Sequence, residues 1–137
     1  MKLFDNAMKI QNWLKQASEQ LQLAEITSAR LDCLVLIENV LGKSRSWVLA
    51  HDDHELMSTE LSSLSKKLEQ RKSHTPLAYV IGSKEFYGRE FLVNKDVLIP
   101  RPESEDMISL LKEVLDLAQL SPAQYSLGTV LDIGTGS

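Results

Sequence analysis

The sequence predicts a mainly α chain: a small helical bundle, then a β-hairpin, then the opening helix and strand of an α/β domain. Three observations predict it. Apolar residues recur at spacings of three and four through the first 75 or so residues, the period of a helix face. The texture then switches to short aromatic and β-branched runs around a glycine in "SKEFYGREFLVN". The last ten residues, "GTVLDIGTGS", read as a buried strand running into a glycine loop.

The first helix is read from Leu3, Ala7, Ile10, Leu14, Ala17 and Leu21, which share one face. A second helix starts near Thr27 or Ser28, either of which can cap it, and stops at Gly42. Its residues Leu31, Leu34, Val35, Leu36, Ile37, Val40 and Leu41 are apolar over much of the circumference, which predicts the central helix of the bundle. A short helical stretch over Ser46 to Ala50 and a polar loop "HDDHE" follow. The next helix runs from about Ser58 to Lys72, with Met57, Leu61, Leu64 and Leu68 in register, and Pro76 closes the block.

A two-residue hairpin turn of type II′ at Gly88-Arg89 suits a glycine in the first central position. After "VLIPRPESED" another helix is expected. Pro102 sits in its first turn, and Glu103, Glu105 and Asp106 suit its positive N-terminal end. Met107, Leu110, Leu111, Val114 and Leu115 are its expected buried face. A loop around Ser121 to Ser126 leads to the strand "TVLDI", which calls for a parallel sheet. One strand cannot bury both its faces, so the fold it implies is not contained in these 137 residues.

Bulk properties narrow the class. The chain is 43% hydrophobic and 25% charged, which suits a soluble globular protein. A net charge of -4 argues against a general nucleic-acid binder. A single cysteine, Cys33, cannot build a disulfide framework and fits a reducing cytoplasm. No segment has the length of a membrane span, and the N-terminus lacks the apolar run of a signal peptide.

In "VLDIGTGS", Gly134 and Gly136 allow a sharp turn and a close backbone approach to a bulky ligand. A following helix would offer N–H groups to an anion, and Asp132 would orient the loop or bond a cofactor amine. An ordinary strand-to-helix turn explains the same residues. The pattern G-x-G-x-x-G cannot be tested, because one residue follows Gly136, and no Walker-type lysine is present.

Other features have bland readings. "HDDH" at His51 to His54 lacks the spacing of a helix-face metal pair and reads as a solvated loop. Cys33 reads as a buried, inert thiol. Trp13 and Trp47 read as core or bundle-edge residues, and Phe86, Tyr87 and Phe91 as cross-strand packing. Lys66, Lys67, Arg71 and Lys72 suit a helix C-terminus, with a partner-binding patch as the minor alternative. Arg101, between two prolines, either shapes a site or merely caps or pairs with Glu103 or Glu105.

The pieces "PLAYVIG", "EFYGREFLV", "VLIPRPES" and "VLDIGTGS", in that order, resemble the HemK/PrmC family. These are S-adenosylmethionine-dependent methyltransferases that modify a glutamine in peptide chain release factors. "SARLDCLVLIENVLGKSRSWVLAH" is similar to the family's helical N-terminal domain, so the resemblance runs from about Ser28 to Ser137. It implies a helical substrate-recognition domain over 1–75, a β-hairpin linker over 76–101, and the start of a Rossmann-like methyltransferase domain over 102–137. It implies N5 methylation of the glutamine in the release factor's Gly-Gly-Gln motif, by direct attack of the amide nitrogen on the sulfonium methyl group, without a metal.

Residue by residue, Gly134, Thr135, Gly136 and Ser137 match the loop around the methionine end of S-adenosylmethionine, and Asp132 matches the acidic residue before it. Arg101 matches a segment beside the cofactor. Ser104 stands where the family often has threonine, which keeps the hydroxyl. The catalytic "NPPY" motif is not in this chain, so no catalytic residue is assigned and this piece alone is expected to be inactive. The implied partner is a release factor, with no direct nucleic acid and no membrane, in the cytoplasm. Two rivals stay open: the N-terminal part of another Rossmann enzyme, and a release-factor-binding helical module without catalysis.

Overall fold

A computed structural model describes residues 8–117. The chain divides into two compact units, Met1–Ile81 and Gly82–Ser137. It is mostly helical, with two small antiparallel strand pairs among the described residues.

In the first unit, β1 (Met8–Lys9) leads into α1 (Ile10–Leu23). The helix begins at Ile10, not upstream as the apolar period from Leu3 suggests; Leu3 and Ala7 lie outside the described residues. Met8 and Lys9 instead pair with Leu56 and Glu55 of β2 (Glu55–Leu56). The first N–H groups of a helix have no intrahelical acceptor. Here Ile10 and Gln11 donate to the His54 and Asp52 carbonyls at 3.0 and 2.9 Å. That loop takes the place of a side-chain cap.

The C-terminal end of α1 closes without glycine. Glu25 adopts φ 59°, Ile26 N–H reaches Leu21 C=O at 3.0 Å, and Glu25 N–H reaches Gln22 C=O at 2.9 Å. This is a Schellman closure, with buried Ile26 and Leu21 as its apolar pair.

α2 (Ala29–Leu41) is the central helix, packed by α1, by α3 (Arg45–Ala50), by α4 (Ser58–Lys72) and by α5 (Leu77–Ile81). It ends at Gly42, whose φ of 62° is left-handed and cheap for glycine. Ser28 precedes α2, but its hydroxyl makes no cap bond. Ser44 does cap α3, accepting from Trp47 N–H at 3.3 Å. Glu60 secures α4 by accepting the Met57 N–H at 2.7 Å.

Pro76 does not simply close the block. Its carbonyl accepts from Tyr79 and Val80 at 2.9 and 3.1 Å, so it opens α5. A fixed φ and a missing N–H suit a proline at a helix start. The core of this unit centres on Ile10, Leu21, Cys33, Leu36, Ile37, Val48 and Leu64, all fully buried.

In the second unit, β3 (Ser83–Phe86) and β4 (Arg89–Leu92) form an antiparallel hairpin. Phe86 pairs with Arg89, so the turn residues are Tyr87 and Gly88 rather than Gly88 and Arg89. Both have positive φ, 50° and 70°. Positive φ at both central positions marks a type I′ turn, not type II′.

α6 (Glu103–Leu117) follows the hairpin with Glu103, Glu105 and Asp106 in its first turn. Its apolar stripe departs from expectation. Met107, Leu110, Leu111 and Val114 are 47–67% exposed, and the Leu115 side chain is outside the description. The helical period is real, but no element among the described residues covers that face. The loop near Ser121 to Ser126 and the strand "TVLDI" lie outside the described residues. No described helix is long and apolar enough to cross a membrane.

Candidate functional site

Of the residues assigned to cofactor binding, Arg101 lies among the described ones. Asp132, Gly134, Thr135, Gly136 and Ser137 lie outside them.

Arg101 occupies the 93–102 segment between β4 and α6, and it is exposed. Its carbonyl accepts from Ser104 N–H at 3.0 Å, and the Pro102 carbonyl accepts from Glu105 N–H at 2.9 Å. Arg101 therefore stands where the backbone turns into α6. It forms no ion pair among the described residues. The Glu105 carboxylate is engaged elsewhere: Oε1 accepts the Tyr87 N–H at 2.9 Å.

Tyr87 itself is a junction that sequence reasoning missed. Lys112 Nζ lies 4.5 Å from its ring centroid, close enough for a cation–π contact. Hydrogen bonds with Ser109 and then Lys112 pull the phenol below its ordinary pKa. The signal was present: Glu105, Ser109 and Lys112 recur at i, i+4 and i+7, one stripe of a helix. Phe86 and Phe91 meet edge-on across the strands, with centroids 6.1 Å apart.

In the helical unit the chemistry-bearing residues serve the fold. Arg71 Nε donates to Asp32 Oδ2 at 2.7 Å and joins α4 to α2. Lys67 donates to the Val80 carbonyl at 2.9 Å and so ties down the end of α5. Lys72 reaches Glu69 at 2.8 Å and Gln20 at 3.3 Å. Three members of the basic run thus hold helices together, beyond any interaction with the helix dipole.

His51 stacks on Trp47 at 4.4 Å and makes a 2.9 Å hydrogen bond through Nδ1 with the Trp47 carbonyl. His54 meets the same indole edge-on. No group of ligands for a metal ion occurs among the described residues.

Burial pushes the Cys33 thiol up to about 11, and the Asp32 charge adds to the push. The Ser18 hydroxyl beside it pulls the other way, by less than burial pushes. A thiol in that state is no nucleophile near neutral pH. A groove of about 310 Å³ lies between α1, α2 and α3, with Leu14 and Val48 among its apolar lining and Lys15, Glu19, Arg30 and Asp52 among its charged lining.

The PrmC N-terminal domain family matches residues 12–82. The release factor glutamine methyltransferase of Buchnera aphidicola subsp. Baizongia pistaciae is 40% identical over 129 residues, covering 94% of this chain and 44% of that protein. The Vibrio cholerae protein of the same name is 38% identical over 131 residues, covering 96% of this chain and 43% of that one. A bifunctional methyltransferase of Rickettsia bellii is 32% identical over 147 residues, covering 93% of this chain and 26% of that one. The chain thus spans less than half the length of these relatives.

Proposed function

The chain belongs to the PrmC N-terminal domain family, and on that premise we propose that it is the recognition part of a release factor glutamine methyltransferase. The whole protein would use S-adenosylmethionine to methylate the side-chain amide of the glutamine in the release factor's Gly-Gly-Gln motif, in the cytoplasm. The observation that carries this reading is the likeness to proteins of that name over almost the entire chain, through both compact units.

The work divides between the units. The helical unit has its own closed core and supplies a rigid body to hold a release factor. The second unit begins the catalytic domain. S-adenosylmethionine, when bound, supplies an electrophilic methyl group on a sulfonium. Gly134 and Gly136 would let the backbone approach its methionine end, with Thr135 and Ser137 beside them and Asp132 ahead of the loop. Arg101 would shape the same site. Its exposed side chain, without an ion pair among the described residues, fits a role toward an anionic group such as the cofactor's carboxylate.

The chain lacks the "NPPY" motif that would orient the glutamine amide. Orientation is the main lever for a direct transfer, so this piece alone should not turn over. Replacing Gly134 and Gly136 by valine in the full-length protein tests the reading. Transfer of labelled methyl groups to a release factor should fall by about 100-fold or more, because small misplacements at a reacting centre cost that much. Unchanged transfer in those variants would sink the loop assignment.

A further inference from the structure

We propose that Tyr87, Glu105 and Lys112 form a clasp that fastens the hairpin turn to α6 and so positions the 93–102 segment that carries Arg101. The clasp rests on the proposed function only for why Arg101 matters.

Each part of Tyr87 is held. Its N–H donates to Glu105 Oε1 at 2.9 Å. Its ring lies 4.5 Å from Lys112 Nζ. Its phenol is drawn below its ordinary pKa by Ser109 and Lys112. The three partners form one polar stripe of α6, at i, i+4 and i+7. The apolar stripe of Met107, Leu110, Leu111 and Val114 is a different set of positions on the same helix. One stripe of α6 is therefore given over to a single tyrosine.

The conformation of Tyr87 points the same way. A type I′ turn favours asparagine or glycine where φ is positive, yet a tyrosine stands there at φ 50°. A non-glycine residue held in the left-handed region persists only where its surroundings over-determine it. Here the surroundings are the α6 stripe.

The consequence falls on the connection between hairpin and helix. Val93 N–H bonds the Gly82 carbonyl at 3.0 Å at one end, and the Arg101 carbonyl accepts from Ser104 at 3.0 Å at the other. The clasp closes a ring from Tyr87 to Glu105, eighteen positions apart. With the ring closed, both ends of the segment are fixed and its freedom is small. With the ring open, the hairpin and α6 are tethered by a ten-residue strap, and Arg101 samples a wider space.

The test uses the full 137-residue chain, amide hydrogen exchange and ¹⁵N relaxation. Glu105→Ala should speed exchange of the Tyr87 amide by about tenfold, the scale of one charge-assisted hydrogen bond. It should also raise the mobility of residues 94–101, while Glu105→Gln, which keeps an acceptor oxygen, restores both. Lys112→Met should leave the Tyr87 amide protected but return the phenol's titration, followed by ¹³C-labelled tyrosine, toward its ordinary range. Unchanged exchange and mobility in Glu105→Ala, or no rescue by Glu105→Gln, would overturn the clasp. Should Glu105→Ala unfold α6, Glu105→Asp decides, since it keeps the charge of the first turn but is one methylene too short to reach the Tyr87 N–H: greater mobility at 94–101 supports the clasp and none overturns it. None of these readouts needs a cofactor, so failure of the full-length protein to bind S-adenosylmethionine would count against the proposed function alone.

Discussion

The two units of this chain handle apolar surface in opposite ways. In the helical unit the apolar faces of α1, α2 and α4 close on one another, and Leu36, Ile37 and Leu64 are fully buried. In the second unit α6 carries an equally regular stripe, yet Met107 and Leu110 are 67% and 60% exposed. Periodicity alone does not distinguish them. The difference is whether other described elements supply the opposing surface, and it teaches that a helical stripe specifies a face to be covered, not what covers it.

That contrast breaks first under truncation of the core. Leu64→Ala should cost about 3 kcal/mol or more, since it removes a fully buried side chain and leaves a cavity. Leu110→Ala in α6 should change stability by no more than about 0.5 kcal/mol. Urea denaturation of both variants measures the gap. Equal losses would mean that the α6 stripe is as covered as the core.

The ion pair between Arg71 and Asp32 is the next largest effect. Its side chains are 16% and 6% exposed, so removing one partner strands a charge with little access to water. Arg71→Met should cost about 3 kcal/mol, read from the same denaturation curves. The pair Arg45–Glu38 is more exposed, 45% and 24%, and Arg45→Met should cost under about 1 kcal/mol.

Cys33 sharpens the contrast through pH. Its folded pKa is raised to about 11 from an ordinary 9.0. Above pH 9 the unfolded chain releases the thiol proton while the folded chain keeps it, so the folded state binds more protons there. Stability from this group is full below pH 9 and falls as pH rises toward 11, by at most about 2–3 kcal/mol. Cys33→Ala should lose that part of the slope, measured by denaturation across pH 8 to about 11 against the parent chain.

The smallest effect sits at a helix start. Glu60→Ala frees the Met57 N–H and should cost about 1 kcal/mol or less, seen as a modest fall in thermal midpoint.

Several elements were legible in the sequence because they declare themselves locally. The α4 bounds, the Gly42 stop and the existence of the hairpin follow from period, capping and turn chemistry. What escaped depends on partners distant in sequence or on unusual residues. Met8 and Lys9 become strand because Leu56 and Glu55 pair with them. The α1 closure uses Glu25 where glycine is the usual sign. Pro76 was read as a stop although the same geometry opens α5. The hairpin turn slipped by one residue because Tyr87, not glycine, takes its first central position. Arg71 meets Asp32 across 39 positions, a pairing no local pattern announces.

The candidate site rests on motif order rather than on geometry. Arg101 stands exposed at the entrance to α6, while the glycine loop lies outside the described residues. The residues that brace the Arg101 segment were visible only as an unremarked stripe of Glu105, Ser109 and Lys112.

The most direct test of the account is to incubate the full-length protein with S-adenosylmethionine and a purified release factor, then locate any added methyl group by tandem mass spectrometry. The account predicts one methyl group on the side-chain amide of the Gly-Gly-Gln glutamine, dependent on Gly134 and Gly136. An unmodified release factor, or a methyl group on any other residue, would contradict it.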